Sequence, residues 1–353
     1  MMFNSDRLRT ARERRMLSAK GLAERVGVST VTLSKYENGN APDETTAARI
    51  ARELGYPAGF FYREAPERLD TDAVSFRSLS RMKAKERRAA EAAGTLGIEL
   101  YEWIDARFNL PQTDLIDLSK ERHRPEVAAR LLRQHWNLGD RPIGHLLKLI
   151  EAKGVRVLSL SEATTNVDAY SFWRGDHPYV FLNQEKTAER SIFDTAHELG
   201  HLVLHHHAGA RADSDAEAQA DQFASAFLMP ESDMMDHAHL FSPRQIIATK
   251  GRWKVSAMAL AYRLRSLGYL SEWGHRSLCI ELGKQGYRGG EPIGVERERS
   301  IVLEKVLSAL WSKGLTKQTV ADDLGLPLEE IEALIFRLSP DRPQARPALR
   351  VVR

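Results

Sequence analysis

The stretch Thr195-Ala196-His197-Glu198-Leu199-Gly200-His201-Leu202-Val203 sets two histidines four residues apart with a glutamate beside the first. On a helix that spacing puts both imidazoles on one face, one turn apart, where they can share one zinc ion. Glu198 then lies where it can take a proton from a metal-bound water. Ile192, Phe193, Ala196, Leu199 and Val203 give the same helix a side to bury, so a helix over about residues 187–206 is expected. Upstream, Val155–Leu160, Ser171–Arg174 and Tyr179–Leu182 read as short strands, the last two joined by the turn Gly175-Asp176-His177-Pro178. Helices and strands in this order describe an α+β unit, with a β segment that could bind extended peptide.

A catalytic zinc takes three protein ligands and keeps one position open. Glu217, on the next expected helix, is the preferred third ligand. Asp221 follows it by one turn and can accept a hydrogen bond from the outer nitrogen of a ligand histidine, fixing its tautomer. His207 is the alternative, six residues beyond His201. That spacing requires the helix to break at a glycine, and position 204 is Leu. His205 and its two successors read as a polar helix end. A tetrahedral oxyanion needs a donor besides the metal, and His237, His239 and Tyr262 are nominated without rank.

The first 65 residues read as short helices with tight turns. Leu17 to Gly39 has what two crossed helices require: small Ala23 where they approach, Gly27 at the turn, and Leu22, Val26, Val28, Val31 or Leu33, and Tyr36 for a shared core. The start of the second helix enters the major groove in that geometry. Thr30, Thr32, Ser34 and Lys35 are candidates for base edges, with Val31 for a thymine methyl. Arg9, Arg12, Arg14, Lys20 and Arg25 are candidates for phosphates.

Residues 5–62, with the exit Tyr36-Glu37-Asn38-Gly39, resemble the lambda-repressor-like (XRE) helix-turn-helix family. The resemblance implies a five-helix domain that binds a palindromic double-stranded operator as a homodimer. Residues 125–270 resemble the ImmA/IrrE family of zinc metallo-endopeptidases. The matching pieces are Glu189–His201, Glu217–Pro230 and Val255–Leu264. That resemblance implies a gluzincin-like site holding one Zn2+ on His197, His201 and Glu217, with Glu198 as base, and a link to removal of a regulatory protein. The chain is similar to bacterial regulators that place an XRE domain before such a peptidase domain. The fusion and the C-terminal extension leave both the substrate and the retention of proteolysis open.

The expected fold is therefore multidomain: an all-α helix-turn-helix domain over 1–65, a helical linker over 66–125, an α+β peptidase domain over 126–270, and a helical C-terminal region over 271–353. Ala321-Asp322-Asp323-Leu324-Gly325-Leu326 echoes Ala23–Val28, but Glu329, Glu330 and Glu332 follow it, which favours packing over DNA contact. Across 353 residues the formal charge is only +3, so composition alone does not establish nucleic-acid binding. The single cysteine, Cys279, cannot form an internal disulfide, and no apolar run has membrane-spanning length. A cytoplasmic regulator is expected, with DNA and a protein substrate or partner and no membrane. It is either a protease acting on that partner or on itself, or a factor whose zinc domain senses a ligand without cutting, or an antitoxin-like autorepressor.

Overall fold

The computed structural model describes residues 2–67, 69, 83–160, 169–206 and 214–339. Contacts divide the chain into two units. One gathers the described parts of residues 1–69, 83–110 and 299–353, and the other is built on residues 111–298.

The first unit is all helical. Helices α1 (Ser5–Arg14), α2 (Ala19–Val26), α3 (Thr30–Glu37) and α4 (Glu44–Leu54) each begin at a side chain that accepts otherwise unpaired amides of the first turn: Asn4, Ser18, Ser29 and Asp43 respectively. Gly27, at φ 77°, makes the left-handed turn between α2 and α3, and the Val28 amide bonds back to the Ala23 carbonyl at 3.0 Å. A single 3-10 turn, Ala58–Tyr62, stands where the fifth helix was expected. Leu8, Leu22, Val26, Leu33, Ile50 and Phe60 form the shared core.

Helix α5 (Ala84–Asp105) buries Ala89, Ala93, Leu96 and Leu100 and packs against α1. The expected boundaries at 65, 125 and 270 thus differ from the observed units. Residues 83–110 belong to the helix-turn-helix unit because the alanine-rich side of α5 is an apolar face that needs a partner. Residues 111–125 and 271–298 belong to the second unit.

The chain returns to the first unit with three more helices, numbered here after the second unit's: α14 (Ile301–Ser312), α15 (Lys317–Leu324) and α16 (Leu328–Leu334). The α15–α16 turn repeats the α2–α3 turn, with Gly325 at φ 64° and the Leu326 amide bonded to the Ala321 carbonyl at 2.9 Å. On α16, Glu330 is buried and bonds Arg14 Nε at 2.7 Å, Arg15 Nη1 at 2.9 Å and the Tyr56 hydroxyl at 3.1 Å. The echo is a packing element of the helical unit.

The second unit is α+β. Helices α6 (Pro125–His135) and α7 (Leu146–Ala152) precede β1 (Arg156–Leu160), β2 (Ala169–Arg174) and β3 (His177–Asn183). Strand order is β1-β3-β2, with β1 parallel to β3 and β2–β3 an antiparallel hairpin pairing Tyr170 with Phe181 and Phe172 with Tyr179. Both pairs stack, at ring separations of 4.7 and 5.1 Å. Helix α8 (Ala188–Leu204) packs on β2 and β3, and α9 (Ser214–Leu228) packs on α8 and α6. Ile192, Ala196, Leu199 and Val203 are the buried side of α8, as their spacing predicts, with Phe193 half-buried. After α10 (Glu231–Met235) and α11 (Pro243–Thr249) come α12 (Ala257–Ser266) and α13 (Glu272–Lys284). Two buried arginines pin the end of α9: Arg133 donates to the Phe227 carbonyl and Arg263 to the Met229 carbonyl.

Candidate metal centre and nucleic-acid interface

Gly200 decides how close α8 and α9 lie. A Cβ there would stand 3.0 Å from Phe223 Cδ1 and 3.3 Å from Ala220 Cα, so the helices meet at a distance no larger residue permits unless α9 gives way. This approach brings Glu217 to the two histidines. His197 Nε2 lies 3.0 Å from His201 Nε2 and 3.4 Å from Glu217 Oε2, and His201 Nε2 lies 3.2 Å from Glu217 Oε1. Among the described residues, His197, His201 and Glu217 form the group whose ligand atoms converge in this way. His207 lies outside the described residues.

The hydrogen bonds behind the ligands decide whether these nitrogens can bind a cation. Asp221 Oδ1 accepts from His197 Nδ1 at 2.8 Å, which fixes the ring and aims Nε2 at the common point, where its lone pair becomes a ligand once Nε2 gives up its proton. His205 Nε2 donates to Gln219 Oε1 at 2.9 Å, so its Nδ1 accepts from His201 Nδ1 at 3.1 Å, and His201 Nε2 is left as an acceptor. Burial keeps His205 neutral by pulling it down to about 4, as that relay requires. Donor separations of 3.0–3.4 Å bracket the spacing of about 3.3 Å for tetrahedral zinc with bonds of about 2.0–2.1 Å. The donor set therefore fits a single zinc ion.

Charge at this point is poised for a cation. Burial lowers His197, but hydrogen bonds to Asp221 and Glu217 outweigh it and hold the ring at about 10. Burial would raise Glu217, yet the two histidines keep it ionised far below the usual carboxylate range. Glu198 is buried, and that burial pushes it up to about 7, with His197 and Ser171 pulling the other way. Ser171, on β2, donates from Oγ to Glu198 Oε2 at 2.6 Å. Neither Ser171 nor the His205–Gln219 relay was predicted from the motif spacing. The signal for Ser171 is its inward place on a strand one element before the metal helix. Of the oxyanion nominees, His237 packs edge-on against Trp253 and Tyr262 against His275.

At the N-terminal unit, Thr30, Ser34 and Lys35 are exposed along α3, Val31 is 67% exposed, and Thr32 is half-buried with its hydroxyl 2.8 Å from Ser29 Oγ. Leu33, not Val31, supplies the core. Lys20 and Arg25 are exposed on α2. Arg12 departs from the expectation of a phosphate contact: it is buried, its Nε and Nη2 bond both carboxylate oxygens of Glu37, and its Nη1 donates to the Leu17 carbonyl. Three of its five N–H donors are spent inside the fold and the side chain is buried, so it is not presented to DNA. Arg14, bound to Glu330, and Arg9, donating to the Glu37 carbonyl at 2.9 Å, are engaged inside the fold as well.

Comparison with known families agrees with both regions. Residues 8–61 match the helix-turn-helix family, and residues 150–265 match the IrrE N-terminal-like domain. No curated protein matches the chain. Among the described residues no helix is long and apolar enough to cross a membrane. The chain thus joins an XRE-type helix-turn-helix domain to an IrrE/ImmA-like domain of the metallopeptidase family.

Proposed function

We propose that this DNA-binding regulator is a zinc-dependent endopeptidase that cuts a regulatory protein partner, or itself, when a stress or mobile-element signal arrives. The observation that carries the reading is the convergence of His197, His201 and Glu217 donors beside a buried carboxylate, Glu198. A zinc ion held by His197, His201 and Glu217 would supply Lewis acidity and activate a water. Glu198 would be the group beside it that takes up a proton and returns it to the leaving amine, a task suited to a carboxyl near neutrality. Ser171 holds Glu198 Oε2, so the other oxygen faces the exchange. Asp221 and the His205–Gln219 relay orient the ligand rings. At the other unit, α3 reads a palindromic operator through Thr30, Val31, Thr32, Ser34 and Lys35, Lys20 approaches phosphate, and two copies of the chain meet the two half-sites.

The test compares the wild-type chain with Glu198→Gln in cells carrying the target promoter. Both should hold one zinc per chain, because Glu198 is not a ligand, and only the wild type should shorten a protein. Equal regulation by both, with no protein shortened, would defeat the protease reading and favour ligand or partner sensing. Operator affinity should persist in Glu198→Gln and fall with added salt as counterions are released.

A further inference from the structure

A cavity of about 510 Å3 opens between α12 and α13, lined by Met258, Tyr262, Ile280, His275, Cys279 and three arginines, Arg265, Arg276 and Arg288. It lies among residues 258–288, mostly beyond the part of the chain that matches the peptidase-family domain, and none of its lining residues belongs to the metal centre. Its volume falls in the range of small-molecule sites.

The charges in this cavity are unbalanced. Its single acid, Glu272, is taken by Arg265 at 2.7 Å. Arg276 and Arg288 are exposed and have no hydrogen-bond or ion-pair partner among the described residues. Two guanidiniums left uncompensated at the rim of a concave site match the planar, bidentate demand of a phosphate or carboxylate. Met258, Tyr262 and Ile280 give the lining an apolar and aromatic side. Tyr262 is 58% exposed and Ile280 52% exposed, and the Tyr262 ring stands edge-on to His275 at 4.7 Å. His275 itself is 6% exposed, with Nε2 3.3 Å from Cys279 Sγ, which puts a polar pair at the cavity wall.

We propose that this cavity is a binding site for a small organic anion: a phosphate or carboxylate head held by Arg276 and Arg288, with an apolar or aromatic body lying on Tyr262, Met258 and Ile280. Such a ligand would act as an effector of the regulator, bound in the same unit as the metal centre but away from it. Burial keeps the Cys279 thiol protonated at neutral pH, so it does not compete as an anion for the guanidiniums.

Cys279 is the only cysteine of the chain, so its modification reports on this cavity alone. The full-length, zinc-loaded protein is treated with 4,4′-dithiodipyridine, a neutral thiol reagent, in the presence of phenyl phosphate, benzoate or phenol. Phenyl phosphate or benzoate should slow the reaction saturably in the wild type, and phenol should do so at least tenfold less effectively. Which of the two anions protects at lower concentration tells a phosphate site from a carboxylate site. In Arg276→Gln/Arg288→Gln, whose side chains have no hydrogen-bond or ion-pair partner among the described residues, the protecting concentration should rise at least tenfold while zinc content stays unchanged. Because Arg288 favours the Cys279 thiolate, the unprotected rate should fall, and protection is read against each protein's own unprotected rate. Absence of saturable protection by either anion would overturn the proposal, as would equal protection of the double variant.

Discussion

In the helical unit, Arg7 meets Glu99, Arg12 meets Glu37 and Arg14 meets Glu330, so a run of basic residues on α1 is answered by carboxylates from α5, α3 and α16. In the α8–α9 pair, His197, His201 and Glu217 instead turn their ligand atoms toward one common point, 3.0–3.4 Å from one another. Both regions bury charge, and the contrast lies in where the balancing charge comes from. Side chains that satisfy each other hold the fold together. Ligand atoms drawn from three side chains to one point can also bind something from outside, and here their spacing and chemistry suit a divalent metal.

The comparison breaks first at Glu330. If the α1 arginines are a clasp, Glu330→Ala strands Arg14 in a buried position and should cost about 3–5 kcal/mol. Thermal unfolding should show the helical unit melting several degrees lower, with zinc content unchanged. A melting temperature equal to wild type would mean that α16 does not stabilise this unit. At the metal centre the matching change is milder, because Asp221 supports a ligand without being one. Asp221→Ala should weaken zinc binding about 10–100-fold, read by competition with a chromophoric chelator. An unchanged affinity would remove Asp221 from the centre.

Acid gives a further test of the metal centre. His197 is held at about 10, so over neutral pH its ring carries a proton until a metal displaces it. Zinc binding therefore releases that proton, and the apparent affinity should fall about tenfold for each pH unit lost between about pH 9 and 7.5. The direction follows from the raised value: more acid stabilises the protonated site and opposes the metal. A zinc affinity independent of pH would show that His197 is already neutral before the metal arrives.

What could be read from residues alone follows the same division. Spacing of three or four residues fixes which side chains share a helical face, so His197, His201, and the pairing of Glu217 with Asp221 were legible, as were the turns at Gly27 and Gly325. Partners far apart in sequence were not. Arg14 and Glu330 are 316 residues apart, and nothing in Arg7–Arg15 tells which guanidiniums will be spent internally. Ser171 lies 27 residues before Glu198 on a different element, and His205 looked like a polar helix end because its bond to Gln219 depends on how closely α9 approaches. The α5 segment read as a linker because the first half of its buried face is made of alanines and glycines, whose burial leaves a weak periodic signal before Leu96, Leu100 and Trp103.

Arg12 and Lys35 give the finest test, since both are basic and both were expected at DNA. Lys35 is exposed on α3, whereas Arg12 is bound along its Nε–Nη2 edge by Glu37 and through Nη1 to the Leu17 carbonyl. Lys35→Ala should leave stability within about 0.5 kcal/mol and, if Lys35 contacts phosphate, reduce the slope of log affinity against log salt by about 1. Contact with a base edge would instead leave that slope in place and relax the operator preference at one position. Arg12→Ala should do the opposite of the phosphate case. Losing the partner of a buried carboxylate lowers the melting temperature, while the salt slope of the protein that remains folded should not move, because no phosphate contact has been lost. Measuring both quantities for both variants decides between them. A slope that falls in Arg12→Ala would mean that the Glu37 pair opens on DNA and that the arginine is shared between fold and operator.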